Sequence, residues 1–271
     1  MKIGYLQYNP FHHNISKNHE YIQSCLSRAT ADLIVLPELS LSGYLFETNE
    51  EVLACAETIP GPSSDKFLAL AKKTQTSYIY GCIEKVDQRS IVDDKSSSCY
   101  NSSVFVSPQG EIRTYRKAHL FNREKIHFIP GNDPFFIFDV QGISVGMLIC
   151  FDHMFPEAAR TLSLLGAQII CHPSNLVLSG FAQATTLARS IENQIFWILA
   201  NRIGTEISGD VTCTYTGGSQ ITSPNGSILV SSSQDSEDLQ IISIDPSLAL
   251  HKSISKRNHI FDDRRTDLYR L

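Results

Sequence analysis

Three polar side chains directly follow three predicted strands, and together they could carry nucleophilic chemistry. Glu38 follows the segment LIVLP, Lys117 follows IRTYR, and Cys150 follows ISVGMLI. In α/β proteins, groups at the carboxyl ends of strands project into the crevice where ligands bind. Taken singly, Glu38 would be a helix cap or surface acid, Lys117 a solvated cation and Cys150 a packing residue. Their shared placement favours a thiol nucleophile assisted by a carboxylate and an ammonium group.

Cys150 has the strongest local context of the three. The segment MLICFDHMFPEAAR is typical of a strand, a sharp turn and then a helix. This geometry lifts a side chain out of the sheet and leaves it near backbone N–H groups that favour a thiolate and an oxyanion. It is the cysteine counterpart of the nucleophile elbow, although the Gly-x-Ser-x-Gly signature is absent.

A thiol nucleophile needs a base and a group that stabilises the oxyanion. No histidine stands in a context that nominates it as the base, but a carboxylate can serve if burial raises its pKa. A lysine can supply the positive charge, and a buried ammonium requires carboxylates nearby. Glu38 is expected to be one neighbour of Lys117, and Glu124, seven residues after Lys117, is the natural second one.

The elements that must position these groups alternate along the chain. Helices are predicted at 16–28, 63–73, 155–165 and 182–194. Short β-branched or aromatic runs predict strands at 3–7, 33–36, 78–84, 102–107, 112–116, 135–140, 143–150, 168–172, 197–201, 218–223, 227–231 and 239–244. This alternation favours an α/β layered fold with mixed sheets. Twelve strands exceed one comfortable open sheet, so two packed sheets are expected.

Composition excludes several classes of protein. The chain has 271 residues, 42% of them hydrophobic, and a net charge of −5. It has no excess of basic residues, so a nucleic-acid partner is not expected. The longest apolar run, 195–200, is far shorter than a membrane helix. The first residues lack the apolar core of a signal peptide, which predicts a cytoplasmic protein without a membrane partner. The seven cysteines form no C-x-x-C pair and are expected to be free thiols.

The chain is expected to form a single domain over 1–271, with the polar stretch 87–98 as a surface loop. Metal binding has no support, because the H-E-x-x-H and C-x-x-C patterns are absent.

The whole chain resembles the nitrilase, or carbon–nitrogen hydrolase, superfamily. The resemblance rests on LPELSLSGY around Glu38, YRKAHLFNRE around Lys117 and Glu124, and GMLICFDHMFPEAAR around Cys150. It continues through HPSNLV, RSIENQIFWILANRIG, GGSQITSPNG and RNHIFDDRRTDLY.

The resemblance implies a four-layer α-β-β-α sandwich with two mixed sheets, assembled as a homodimer or higher homo-oligomer across the outer helices. It also implies a Glu–Lys–Cys triad in which Cys150 is the nucleophile, Glu38 the general base and acid, and Lys117 the oxyanion stabiliser. Glu124 matches a second glutamate that orients the substrate and the triad, and the backbone N–H of Phe151 would be the other oxyanion donor. No metal or organic cofactor is implied.

The implied reaction is hydrolysis of a non-peptide C–N bond in a small amide through a cysteine thioester, releasing a carboxylic acid and ammonia. A nitrile or an N-carbamoyl amine is an alternative substrate for the same triad. An alternative of another class is a non-catalytic relative that binds a ligand or senses oxidants through its thiol. Residues beside the motifs are expected to line the substrate pocket: Tyr44, Phe121, His153 and Asn175.

Overall fold

The computed structural model describes residues 1–86 and 98–269, so most of the stretch 87–98 lies outside the described residues. The helices of this part of the chain are α1 (Ile15–Leu26), α2 (Asn49–Ala54), α3 (Pro62–Thr74), α4 (Glu124–His127), α5 (Pro156–Leu164) and α6 (Phe181–Asn193). Two 3₁₀ turns occupy Cys150–Met154 and Pro246–Leu250. All seven cysteines are free thiols.

The strands fall into two large mixed sheets and small hairpins. They are β1 (Lys2–Gln7), β2 (Leu33–Val35), β3 (Ala56–Glu57), β4 (Ser77–Lys85), β5 (Cys99–Val106), β6 (Ile112–Arg116), β7 (Ile137–Val140), β8 (Ile143–Met147), β9 (Ile169–Pro173), β10 (Phe196–Ala200), β11 (Thr205–Ser208), β12 (Val211–Thr214), β13 (Gln220–Thr222), β14 (Ile228–Ser231), β15 (Asp238–Ser243), β16 (Ser253–Ser255) and β17 (Asn258–His259).

The first large sheet has the order β15-β1-β2-β4-β5-β6, with β3 beside β4, and the second has the order β14-β13-β10-β9-β8-β7. Each has a parallel centre, formed by β1, β2 and β4 in one and by β8, β9 and β10 in the other. Antiparallel strands complete both sheets. Each of the twelve predicted strands overlaps one strand of these two sheets.

Alternating side chains of β2 show how the layers are held together. Leu33 and Val35 face the core between the two sheets, whereas Ile34 and Leu36 face α1 and α3 on the outside of the first sheet. A strand buried on both faces reads as a continuous apolar run, as LIVL does here. Helices α5 and α6 cover the second sheet through Ala158, Leu162 and Ala182. The result is the expected four-layer α-β-β-α sandwich.

Two helices of the described residues, α2 and α4, were not predicted because they have only six and four residues. The signal for α2 was nevertheless present, since Thr48 and Glu51 form a capping box in which each side chain accepts from the other's backbone N–H. The hairpin of β11 and β12 was missed because its alternating, partly exposed segments TEIS and VTCT carry little apolar character.

Candidate active site

The ends of three strands meet at one edge of the sandwich and bring Glu38, Lys117 and Cys150 together. Strands β2 and β4 are parallel, and β6 runs in the direction of β4 because β5 pairs antiparallel with both. Glu38 and Lys117 therefore leave the first sheet at the same edge, and Cys150 follows β8 of the facing sheet. A Cβ atom at Gly81 of β4 would overlap the backbone of Glu38 and Leu39, so glycine permits the close approach of this loop.

Lys117 lies between two carboxylates. Its Nζ is 2.7 Å from Oε1 of Glu38 and 2.6 Å from Oε1 of Glu124, and the Lys117 side chain has no exposed surface. Glu124 is the first residue of α4, and its Oε2 accepts a hydrogen bond of 2.7 Å from the backbone N–H of Phe121. The two carboxylates keep the buried ammonium charged and hold it in one position.

Asn101 is a residue of this cluster that sequence reasoning missed. Its Nδ2 donates to Oε1 of Glu38 at 2.7 Å, and its backbone carbonyl accepts from the Lys117 N–H at 2.9 Å. An asparagine on the buried strand β5 was the available signal, because a buried amide requires polar partners. The other Glu38 oxygen, Oε2, is buried and has no partner among the described residues. One oxygen is thus anchored and the other is free to handle a proton.

The electrostatics of the cluster favour retention of a proton. With both carboxylates and Lys117 ionised, the cluster would carry a net negative charge. Burial and the neighbouring Glu38 raise the pKa of Glu124 to about 7, although Lys117 opposes the shift. Burial alone would lower the pKa of Lys117, but Glu124 and Glu38 raise it overall. The ammonium therefore stays charged, and the Glu124 carboxyl titrates near neutrality.

Cys150 has the elbow conformation expected from the sequence. Its φ angle of 42° lies in the left-handed region, which is uncommon for residues other than glycine and is typical of strained functional positions. The Cys150 carbonyl is hydrogen-bonded to Nε2 of His172 at 2.8 Å, and the backbone N–H of Asn175 is hydrogen-bonded to the thiol. Burial and Glu38 raise the pKa of Cys150 well above its ordinary value, with Lys117 acting in the opposite direction. The thiol is thus protonated at rest and requires a base.

Neighbouring histidines are poor candidates for that base. Burial lowers the pKa of His153 to about 4 and that of His172 to about 3, so both are neutral at pH 7. His153 contacts the Thr185 hydroxyl, and His172 contacts the Cys150 carbonyl. Glu38, which acts on Cys150 and whose Oε2 has no partner among the described residues, is the group that can accept the thiol proton.

Asp152 anchors the turn that follows Cys150 and was also missed in the sequence. Its fully buried carboxylate accepts from the Ile149 N–H at 2.9 Å, from the Tyr115 hydroxyl at 2.8 Å and from the His119 N–H at 3.1 Å. These bonds connect the elbow of the second sheet to β6 and the segment after it.

Replacing Asp152 with alanine is expected to lower the free energy of unfolding by about 3 kcal/mol, because several buried donors lose their acceptor. Urea unfolding followed by circular dichroism measures the change. Asp210→Ala, at an exposed site between β11 and β12, is the matched control and should stay within about 0.5 kcal/mol of the parent. Equal stability of the two variants would contradict an anchoring role for Asp152.

A cavity of about 100 Å³ opens beside Cys150. Three of the four residues predicted to line the pocket are in its wall: Phe121, His153 and Asn175. Tyr44 lies at the same site, beside the carboxylates and Cys150 rather than in this wall, and burial together with Glu124 and Glu38 raises the pKa of its hydroxyl. The backbone of Tyr44 is held by Glu206, which accepts from its N–H at 3.0 Å and pairs with the buried Arg202.

Within residues 1–86 and 98–269, no group of three or more His, Cys, Asp or Glu side chains is arranged to hold a metal ion. In the same part of the chain, none of the helices combines the length and the apolar character needed to cross a membrane.

Comparison with known proteins places this geometry in a broader context. The family model described as Carbon-nitrogen hydrolase matches residues 2–250. A protein named nitrilase from Pyrococcus abyssi is 39% identical over 273 residues, which cover 99% of each chain. An (R)-stereoselective amidase from a Pseudomonas species is 32% identical over 225 residues, covering 82% of this chain and 76% of the relative.

A solved structure of a carbon–nitrogen hydrolase from Helicobacter pylori G27 has the same fold. It superposes with a TM-score of 0.85 at 24% identity, covering 99% of this chain and 97% of that one.

Proposed function

Because this chain belongs to the carbon–nitrogen hydrolase family, we propose that it hydrolyses a small amide through a cysteine thioester, releasing a carboxylic acid and ammonia. The observation that carries the proposal is the buried Lys117, held between Glu38 and Glu124 at the strand ends where the Cys150 elbow also lies. This arrangement supplies a nucleophile, a base and a fixed positive charge in one buried site.

In the first half of the reaction, the Cys150 thiol gives its proton to Oε2 of Glu38 as sulfur attacks the amide carbon. The carbon–sulfur bond forms, and the carbonyl electron pair moves to oxygen. The Lys117 ammonium and the Phe151 backbone N–H stabilise this oxyanion. Glu38 then passes the proton to the leaving nitrogen, the carbon–nitrogen bond breaks, and ammonia departs to leave a thioester.

In the second half, Glu38 accepts a proton from water while the water oxygen attacks the thioester carbon. The resulting tetrahedral oxyanion uses the same two donors. Its collapse breaks the carbon–sulfur bond, the proton returns from Glu38 to the thiolate, and the carboxylic acid is released. Glu124 supports both halves by holding Lys117 in position.

A nitrile is the second candidate substrate, favoured by the 39% identity to the relative named nitrilase. The same thiol would add to the nitrile carbon to give a thioimidate, and water would release ammonia and then the acid. N-carbamoyl amines would use the same residues. A non-catalytic ligand-binding protein would need none of these groups to be poised for proton transfer, and a thiol sensor would oxidise Cys150 to a disulfide.

A panel of small amides, nitriles and N-carbamoyl amines, with ammonia release as the readout, tests the proposal. Intact-protein mass spectrometry after brief incubation should find the acyl group on Cys150. Ammonia release from nitriles alone would favour the second candidate. No ammonia from any compound, or a Cys150 disulfide under mild oxidant without turnover, would contradict the hydrolase proposal.

The pH dependence provides an independent test. Because burial raises the pKa of Glu124 to about 7, this carboxyl is protonated below that pH and no longer holds the Lys117 ammonium in position as a charged partner. We expect kcat/KM to rise about tenfold per unit below about pH 6 and to level off above pH 8. Initial rates between pH 5 and 9 measure the profile. In Glu124→Gln, the pH range over which kcat/KM rises should shift. A flat profile from pH 5.5 to 8 would exclude it.

The predicted homo-oligomer is supported by apolar side chains on the outer helices. Leu164 and Leu165 at the end of α5 and Ile191 of α6 are each about half exposed. Contact between two copies across these helices would remove apolar surface of all three side chains from water.

A further inference from the structure

The cavity beside Cys150 has an apolar wall. Seven of its lining residues are aromatic or aliphatic: Phe121, Phe151, Met154, Leu176, Val177, Leu178 and Phe181. Three of these, Met154, Leu178 and Phe181, are exposed large hydrophobic residues. Apolar walls favour apolar groups through burial of their surface. The volume of about 100 Å³ is well below the roughly 300–1,000 Å³ typical of pockets for drug-sized ligands, so the cavity suits a small substrate.

The remaining wall residues carry no formal charge at neutral pH. Burial lowers the pKa of His153 to about 4, and burial raises that of the Cys150 thiol. Asn175 is a neutral amide. A substrate carrying an ammonium or carboxylate group against this wall would find no partner of opposite charge in it, which is unfavourable.

Asn175 supplies the one conspicuous unpaired polar group in the wall. Its side chain is 3% exposed, and neither its Oδ1 nor its Nδ2 has a partner among the described residues. Leaving a buried amide unpaired costs free energy, so a ligand that pairs with it gains affinity. The Asn175 backbone N–H is hydrogen-bonded to the Cys150 thiol, and both residues line the same cavity, so a substrate bound at the thiol comes within reach of Asn175.

We infer that this pocket selects small uncharged amides, and that Asn175 binds a hydrogen-bonding group on the atom next to the carbonyl. The inference rests on the proposed amide hydrolysis and adds the residue that decides specificity. A hydroxyl group or an N–H at this position matches an amide that offers both a donor and an acceptor. The rest of the substituent is apolar.

Lactamide and isobutyramide provide a matched pair, because they differ only in a hydroxyl or methyl group next to the carbonyl. We expect the protein to prefer lactamide, in one enantiomer, by about tenfold in kcat/KM. Asn175→Leu keeps the side-chain volume and removes the hydrogen bonds, so the preference should disappear or reverse. Asn225→Leu, at an exposed turn outside the cavity wall, should retain the parent ratio.

Butyramide and β-alaninamide test whether the pocket rejects charged substrates, since the second compound has an ammonium group in place of a methyl group. We expect β-alaninamide to be at least about 100-fold poorer in kcat/KM. Equal turnover of this pair, or an unchanged lactamide preference in Asn175→Leu, would overturn the inference while leaving amide hydrolysis intact. No turnover of any of the four amides by the parent protein would instead count against the proposed function.

Labelling of Cys150 by iodoacetamide and the melting temperature show whether the Asn175→Leu site is folded. If that variant fails to fold, Asn175→Ser takes its place, because a single short hydroxyl cannot reach the same group. The lactamide preference is again expected to fall. A preference equal to that of the parent would overturn the assignment to Asn175.

Discussion

Replacement of Cys150 with alanine is expected to lower kcat for amide hydrolysis by at least about 10⁴-fold, because the variant lacks the atom that forms the thioester. The fold should be retained. Alanine removes only a sulfur atom from a side chain that is 7% exposed, and the left-handed φ of 42° is no harder for alanine than for cysteine. Stopped assays of ammonia release and a thermal melt measure the two properties.

Cys150→Ser is the matched control, because it keeps the shape of the nucleophile with a less reactive hydroxyl group. It should also be nearly inactive while retaining the melting temperature. Cys171→Ala removes another fully buried thiol and should retain turnover in the fraction that folds. Hydrolysis at the parent rate by Cys150→Ala would eliminate the thioester route.

Replacement of Lys117 with methionine is expected to lower the free energy of unfolding by about 3–5 kcal/mol at pH 8. The substitution leaves Glu38 and Glu124 buried without their shared cation, and each had an oxygen within 2.7 Å of Nζ. Loss of the oxyanion stabiliser should also reduce kcat by about 10²–10³-fold. Urea unfolding at several pH values and steady-state kinetics test the two effects.

The sign of the pH dependence distinguishes a charge effect from lost packing. Burial already raises the pKa of Glu124 to about 7, and removal of Lys117 takes away the group that opposes this shift. A carboxyl with a raised folded-state pKa contributes stability that is present below its unfolded value and lost as the pH rises through its folded value. The deficit of Lys117→Met should therefore be smaller at pH 5 than at pH 8.

Lys72→Met, at an exposed position of α3, is the control for the side-chain change and should alter stability by less than about 0.5 kcal/mol. The double variant Lys117→Met with Glu124→Gln removes one of the stranded charges and should regain part of the lost stability. A deficit that is independent of pH, with no recovery in the double variant, would refute the ion-cluster explanation.

The amino-acid sequence alone was sufficient to predict the layers of this protein. The twelve predicted strands, which match every strand of the two large sheets except the two-residue β3, are each four or more residues rich in apolar, β-branched or aromatic side chains, and local periodicity is enough to find such segments. The elbow at Cys150 was likewise local, because MLICFDHMFPEAAR contains the strand, the turn and the helix start in one stretch. The resemblance of the motifs to the carbon–nitrogen hydrolase family identified Glu38 as the general base that acts on Cys150.

What only the tertiary structure decided is how residues distant in the chain meet. Asn101 holds Glu38 across 63 positions and Asp152 holds Tyr115 across 37, and no local pattern announces either pairing. The position of Tyr44 beside the carboxylates, away from the cavity wall, and the unpaired amide of Asn175 also emerge only after packing. Hydrogen bonding and burial depend on distances between strands that pair in three dimensions, and local sequence patterns carry no record of those distances.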